Sequence, residues 1–167
     1  MKQLVLGILV GICLPLIFGL LFLFLGGMPV ATKGDPLPLE RYIAKTAVHV
    51  AIGKDEDRQS PVIADEINLL AGAKVYMNHC AICHGSSGGH PSFIAKGLFP
   101  KPPQLLEIDD QINDDPVGEA YWKIKNGIRL TGMPGFVDSL SDTKIWQVSQ
   151  LLVNTNRLSN RVKQSLK

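Results

Sequence analysis

The stretch Cys80-Ala81-Ile82-Cys83-His84 decides the fold of this chain. It reads C-x-x-C-H, the pattern by which c-type haem is attached to protein. Two thiols three positions apart can each add to one vinyl group of the same haem, and the adjacent histidine then reaches the iron as proximal ligand. A thioredoxin-like C-x-x-C expects a βαβ pattern, which the flanking sequence lacks. A zinc site expects a second Cys or His pair, and the remaining cysteine, Cys13, lies in an apolar run. The pattern therefore predicts one covalently bound haem c on Cys80, Cys83 and His84.

A second axial ligand is predicted downstream, in the stretch Thr131-Gly132-Met133-Pro134-Gly135-Phe136. Pro134 restricts Met133 to extended geometry, and the glycines permit close backbone approach to a flat cofactor. A methionine in such a loop lies on no helical or strand face, so core filling explains it poorly. Met28 lies at the end of the apolar N-terminal run, and Met77 is too close to the haem cysteines. His84 and Met133 are thus the predicted iron ligands, an arrangement typical of electron-transfer cytochromes c.

Residues 61–156 resemble a small single-haem cytochrome c domain with His/Met ligation. The resemblance rests on Gly72, Tyr76 and Cys80 at four-residue spacing, the haem motif, the run 124–134 and a final helix carrying Trp146. It implies an all-α fold, in which a few short helices surround the haem. It also implies that Gly72 lets the first helix of the domain cross the last one closely, near Val148, Leu151 and Leu152.

The N-terminal segment predicts one transmembrane helix before this domain. Leu4 to Leu25 contains no charged residue and is long enough to cross a bilayer core of about 30 Å. A cleaved signal peptide is the alternative, but its apolar region covers only about 7–15 residues and ends at an A-x-A-like site. The nearby candidate site, before Thr32, has Pro29 at the third position back. We therefore expect an uncleaved, single-pass anchor. The family resemblance implies that haem is attached outside the bacterial inner membrane, which places the haem domain in the periplasm.

Three regions follow: a transmembrane anchor over 1–27, a periplasmic linker over 28–60, and the cytochrome c domain over 61–167. Apolar residues at helical spacing predict a short amphipathic helix within 39–52 of the linker. This helix is either a spacer near the membrane surface or a docking face for a partner subunit. Residues 53–60 are predicted to be a charged, mobile loop, and residues 157–167 a frayed basic tail.

Three helices are predicted in the domain, over 61–78, 114–126 and 140–156. Asp65 and Glu66 suit the start of the first helix. Asp115 is the predicted N-cap of the second, with Pro116 at its first helical position. Ser141 is the predicted N-cap of the third.

Three further residues are candidates for the haem environment. A proximal histidine normally donates its other ring nitrogen to a carbonyl, and Pro91 is the candidate acceptor. Trp122 either brings its indole N–H to a haem propionate or belongs to the core. Arg129 is a candidate partner for a propionate as well. His90 is too near His84 to reach the opposite haem face and is expected on the surface.

The function classes follow from ligation and charge. A net charge of +2 is too small to argue for a nucleic-acid partner. With both axial positions filled, substrate has no site on iron, which predicts an electron carrier of a membrane-bound respiratory chain rather than an enzyme. Its partners would be redox proteins or subunits of a respiratory complex, steered by an acidic run from Glu107 to Glu119 unless that run is an ordinary solvated surface. A haem-bearing structural subunit of a larger oxidoreductase, and a haem enzyme or gas sensor with a labile Met133, remain as alternatives.

Overall fold

The computed structural model describes residues 1–107 and 115–167, and these residues form helices and turns without strands. Contacts divide the chain into two compact units, Met1–Arg41 and Tyr42–Lys167. The all-α prediction is confirmed. The helices are α1 Lys2–Phe24, α2 Glu40–Ile52, α3 Glu66–His79, α4 Ala81–His84, α5 Phe93–Gly97, α6 Val117–Asn126, α7 Asp142–Val153 and α8 Asn160–Gln164, with 3₁₀ turns at Gly53–Asp57 and Thr155–Arg157.

The first unit is dominated by α1, which has 23 residues and carries Pro15 in its interior. None of its side chains is buried against protein. Among the described residues, α1 is the one helix long and apolar enough to cross a membrane, as judged by length and composition. Its bounds agree with the apolar run seen in the sequence.

The second unit is built on the crossing of α3 and α7. The Asp65 carboxylate caps α3 by accepting a hydrogen bond from the Asn68 amide at 2.8 Å, so the helix begins at Glu66, five residues later than the predicted helix over 61–78. A Cβ atom on Gly72 would collide with the backbone carbonyl of Gln147 and lie 3.2 Å from the Val148 amide nitrogen. Only glycine permits this approach, so the close crossing that the family resemblance implies is confirmed.

The start and the buried face of α7 also agree with prediction. Ser141 caps the helix by accepting from the Lys144 amide at 3.4 Å. The predicted stripe is buried, and it consists of Ile145, Val148, Leu151 and Leu152. Trp146, next to the stripe, is only 1% exposed and stacks on Tyr121 with ring centroids 3.8 Å apart. This stack joins α6 to α7.

The C-terminal segment is not the frayed tail that its basic composition predicts. Leu158, Val162 and Leu166 recur every four residues and are all buried in the core of the domain. Ser159 begins α8 by accepting from the Val162 amide at 3.4 Å. Because the buried residues lie on one side of this short segment, its lysines and arginines remain in solvent while the helix packs.

The start of α6 differs by one residue from the predicted cap. Pro116 is the N-cap, with extended backbone and no side-chain hydrogen bond, and Val117 is the first helical residue. The Asp115 carboxylate instead pairs with the Lys123 ammonium at 3.1 Å. Asp114, where the helix was predicted to begin, lies outside the described residues, as do Asp109 and Asp110 of the predicted acidic run.

Residues before 61 pack with the domain. A Cβ atom on Gly118 of α6 would collide with the carbonyl of Asp55, so the 3₁₀ turn Gly53–Asp57 lies directly against α6. Ile52 at the end of α2 is 3% exposed. The predicted mobile loop is therefore partly an ordered turn, because a glycine on α6 leaves room for its backbone. The packed unit begins at Tyr42, earlier than the predicted domain.

Candidate cofactor site

One cavity of the second unit gathers most of the predicted site residues. The space between its walls is about 1160 Å³, a figure that includes the part open to solvent. Cys80, Cys83, His84 and Met133 all line it. Its other walls are mainly apolar and come from the loop 98–105, from α6 and from the loop 128–136.

The two cysteines reach this cavity from a single helical turn. Cys80 ends α3, and its carbonyl accepts from the amides of Cys83 at 3.0 Å and His84 at 2.9 Å. This turn places both thiols and the imidazole at one wall. Neither cysteine forms a disulfide. Burial, and to a lesser extent the neighbouring Cys83, raises the pKa of the Cys80 thiol to about 12.

The imidazole of His84 is held by a backbone carbonyl. Its Nδ1 lies 2.9 Å from the carbonyl oxygen of Pro103, so Nδ1–H donates and Nε2 carries the free lone pair. Burial lowers the pKa of His84, and the hydrogen bond to Pro103 opposes that effect only in part. A neutral imidazole with a fixed tautomer is the form that binds a metal.

The predicted acceptor, Pro91, is therefore wrong. Pro91 is exposed, does not line the cavity, and immediately precedes Ser92, which is the N-cap of α5. The Ser92 hydroxyl also donates to the carbonyl of Ile82 at 2.5 Å, which ties the start of α5 to the outside of α4. The backbone carbonyl that accepts from His84 comes later in the sequence, at Pro103.

A tyrosine fixes the turn that follows His84. The Tyr76 hydroxyl donates to the carbonyl of Gly85 at 2.7 Å and approaches that of His84 at 3.2 Å. Burial raises the pKa of Tyr76 above its ordinary value, so the hydroxyl remains a donor. Gly85 has a φ of +78°, and an added Cβ would collide with the side-chain amide of Gln104. The four-residue spacing of Gly72, Tyr76 and Cys80 drew attention to Tyr76 in the sequence, but it did not predict these hydrogen bonds.

Met133 belongs to a closed loop on another wall of the cavity. The Thr131 hydroxyl donates to the Ile128 carbonyl at 2.7 Å and accepts from the Met133 amide at 3.1 Å. The Ile128 amide in turn donates to the Met133 carbonyl at 3.1 Å. These bonds fix the backbone on both sides of the thioether. A Cβ atom on Gly132 would approach the Leu98 side chain to 2.5 Å, so Leu98 would have to shift to accommodate it.

Trp122 and Arg129, the two candidate partners of a haem propionate, do not line the cavity, and a contact of either with a propionate stays a prediction. On α6, the cavity is lined by Ala120, Lys123 and Ile124. At about 100° per residue, position 122 lies on the opposite side of the helix from these three. Trp122 is accordingly half-buried away from the site, and Arg129 is exposed.

An ion-paired lysine, Lys123, also lines the cavity. Lys123 lies 2.5 Å from a carboxylate oxygen of Glu119 and 3.1 Å from one of Asp115. Burial by itself lowers the pKa of Lys123, but the hydrogen bonds and charges of Glu119 and Asp115 outweigh it and raise the pKa. The i,i+4 spacing of Glu119 and Lys123 was the available signal. His79 also lines the cavity, which the sequence did not predict, and it lies edge-on to Phe136 with ring centroids 6.1 Å apart.

The donor set fits a covalently attached haem. Two thiols share one wall with a neutral imidazole whose Nε2 is free, and a thioether lies on another wall of the same apolar cavity. Thiols for the porphyrin, with imidazole and thioether for the iron, are the groups that c-type cytochromes use. The fold and this site together define a small c-type cytochrome.

The family described as cytochrome C oxidase, cbb3-type, subunit III matches residues 68–152, about half of the chain. The chain belongs to this family. The matched residues include the haem motif and Met133, and a domain of this kind carries covalently bound haem c. No curated protein matches the chain.

Proposed function

We propose that this protein carries single electrons in a membrane-bound respiratory chain, with Cys80 and Cys83 holding the porphyrin and His84 and Met133 holding the iron. The c-type cytochrome domain supports haem-based electron transfer in general. The observation that carries the specific assignment is that these four side chains line one apolar cavity although Met133 lies far from the others in sequence.

The protein's own groups have separate tasks in this proposal. The bound haem supplies a one-electron iron couple. The Pro103 carbonyl orients the His84 ring, which would leave Nε2 free to hold the iron. The Thr131 hydroxyl fixes the loop that presents the Met133 sulfur. Apolar walls exclude water, and methionine ligation raises the reduction potential. If His84 and Met133 both hold the iron, no position on it would be left for a substrate, which would favour a carrier over an enzyme.

The membrane context is the second part of the proposal. We propose that α1 remains as a single-pass anchor in the bacterial inner membrane, with the haem domain on the periplasmic side. Its length and composition support a span. Redox proteins or subunits of a respiratory complex are the proposed partners, in line with the family. If the protein is a fixed subunit, it will co-purify stoichiometrically with the complex after detergent extraction, whereas a tethered shuttle will purify alone.

The ligation is tested by optical spectra of the detergent-purified, haem-loaded full chain. We expect the weak long-wavelength band of ferric haem bound by methionine sulfur in the wild type, and its loss in Met133→Leu together with a lower potential and new CO binding. Met77→Leu is the matched control, because Met77 packs against the core and does not line the cavity. A wild type that lacks the band and binds CO readily would refute Met133 ligation and favour a haem enzyme or gas sensor.

A further inference from the structure

Helix α2 carries an apolar face that the domain does not cover. Tyr42, Ile43 and Val50 are 70%, 61% and 71% exposed. Together with Thr46 and Ala47 they fall within an arc of about 140° of the helix. Ile52 is the only buried residue of α2. The apolar side of this helix therefore has no protein partner among the described residues of its unit.

The C-terminal end of α2 is nevertheless fixed. Ile52 is buried, and the 3₁₀ turn Gly53–Asp57 that follows packs on α6 beside Gly118. A helix of 13 residues with one buried side chain is only marginally stable in water by itself. A surface that covers Tyr42, Ile43 and Val50 would supply the burial that the domain does not.

Charge and chain length favour a lipid surface as the partner that covers the apolar face of α2. Lys45 and His49 lie one turn apart along one edge of the apolar face. An apolar face with a basic edge is typical of helices that lie in the headgroup region of a membrane. The chain from Leu25, after α1, to Glu40 can reach at most about 50 Å, so a membrane that holds α1 is within reach of α2.

We propose that α2 lies in the headgroup layer of the membrane that α1 spans, with Tyr42, Ile43 and Val50 towards the acyl chains and Lys45 at anionic headgroups. This inference rests on the proposed anchoring by α1. Because the turn that follows α2 packs on α6, docking of α2 would hold the haem domain at the membrane surface. The domain would then meet partners embedded in the same membrane rather than partners throughout the periplasm.

Hydrogen–deuterium exchange of the haem-loaded full chain in lipid nanodiscs tests the proposal. We expect the amides of residues 42–52 to exchange more slowly in nanodiscs that contain phosphatidylglycerol than in purely phosphatidylcholine ones, with the difference reduced by salt. Ile43→Glu/Val50→Glu should lose the protection. Glutamate forms helices better than isoleucine or valine, so a weaker helix would not explain that loss. The matched control is Ile63→Glu/Ile67→Glu, which alters two exposed apolar residues outside α2 and should keep the protection.

Three results would overturn the proposal. Equal exchange of residues 42–52 in both lipids refutes docking on an anionic surface. Protection that survives Ile43→Glu/Val50→Glu shows that the fold, and not the lipid, covers the helix. A protein that co-purifies in detergent and protects the same amides replaces lipid as the occupant. A chain that does not co-elute with the nanodiscs refutes the membrane anchor, and the proposed docking of α2 fails with it. The haem spectrum reports independently on the electron-transfer domain.

Discussion

Replacement of Gly72 by alanine tests the helix crossing on which the domain is built. Alanine is the best helix former, and in an exposed helix the change would stabilise by about 1 kcal/mol. At Gly72, however, the new Cβ would collide with the backbone carbonyl of Gln147 across the crossing. The two effects have opposite signs, so the sign of the measured change shows which one dominates.

The magnitude follows from the atom that the new methyl group meets. Overpacking of a well-packed core costs about 1–3 kcal/mol, and the cost is highest where the neighbour cannot move aside. Here the neighbour is the backbone of α7, whose Trp146, Val148 and Leu151 are all buried. We therefore take the upper part of the range, subtract the gain in helix propensity, and expect a net loss of about 1–2 kcal/mol. For a domain of this size, that loss lowers Tm by about 4–8 °C.

Thermal melts of the haem-loaded full chain in detergent, followed by far-UV circular dichroism and by haem absorbance, measure this loss. Gly97→Ala is the matched control, since nothing lies within 4 Å of the atom that it adds. Because Gly97 is an exposed residue of α5, we expect this control to leave Tm unchanged or to raise it by up to about 4 °C, and not to lower it. An increase in Tm for Gly72→Ala would refute the close crossing of α3 and α7.

Two further predictions concern the contact between α6 and α7. Trp146→Ala should lower the free energy of unfolding by about 3–5 kcal/mol, measured by denaturant unfolding, because it removes a buried ring that stacks on Tyr121. Trp122→Ala, the control, should lower it much less, and similar losses for the two variants would contradict this packing. The pKa of Asp142 lies below its ordinary value because Tyr121 donates a hydrogen bond to it and Lys125 lies 3.3 Å away. A lowered pKa in the folded state stabilises above the ordinary carboxyl value of about 4, and this contribution is lost as the pH falls through the folded value. Asp142→Asn should therefore flatten the fall of Tm below about pH 4 and leave its slope above about pH 6 unchanged; an unchanged acid slope would show that the interaction contributes nothing.

Features that depend on neighbouring residues could be predicted from the sequence. The haem motif is one helical turn, so the spacing of Cys80, Cys83 and His84 already implies that their side chains share a wall. The capping residues Asp65 and Ser141 act on amides three positions away. Met133 was found through Pro134 and the flanking glycines, which restrict the backbone locally.

Features that depend on the path of the chain could not be predicted in this way. The acceptor for His84 is Pro103 rather than Pro91, because the choice depends on where the loop returns to the cavity. Residue type alone left Trp122 open between the haem and the core, and the rotation of α6 turns Ala120 and Ile124, and not Trp122, to the cavity. The C-terminal segment is ordered for a similar reason, because Leu158, Val162 and Leu166 pack against core residues that are distant in sequence.

Helix α3 connects the stability of the domain with the position of His84, the proposed proximal ligand. Gly72 and Tyr76 lie one turn apart on α3, the first against the backbone of α7 and the second bonded to the carbonyl of Gly85, next to His84. A displacement of α3 from α7 would therefore shift the hydroxyl that fixes the ligand turn. The Met133 loop is bonded to α6, through the Phe136 amide and the Ile124 carbonyl at 3.1 Å, and α6 packs on α7 through Tyr121 and Trp146. Because α7 packs against both α3 and α6, we expect a change in its packing to move the segments of His84 and Met133 relative to one another.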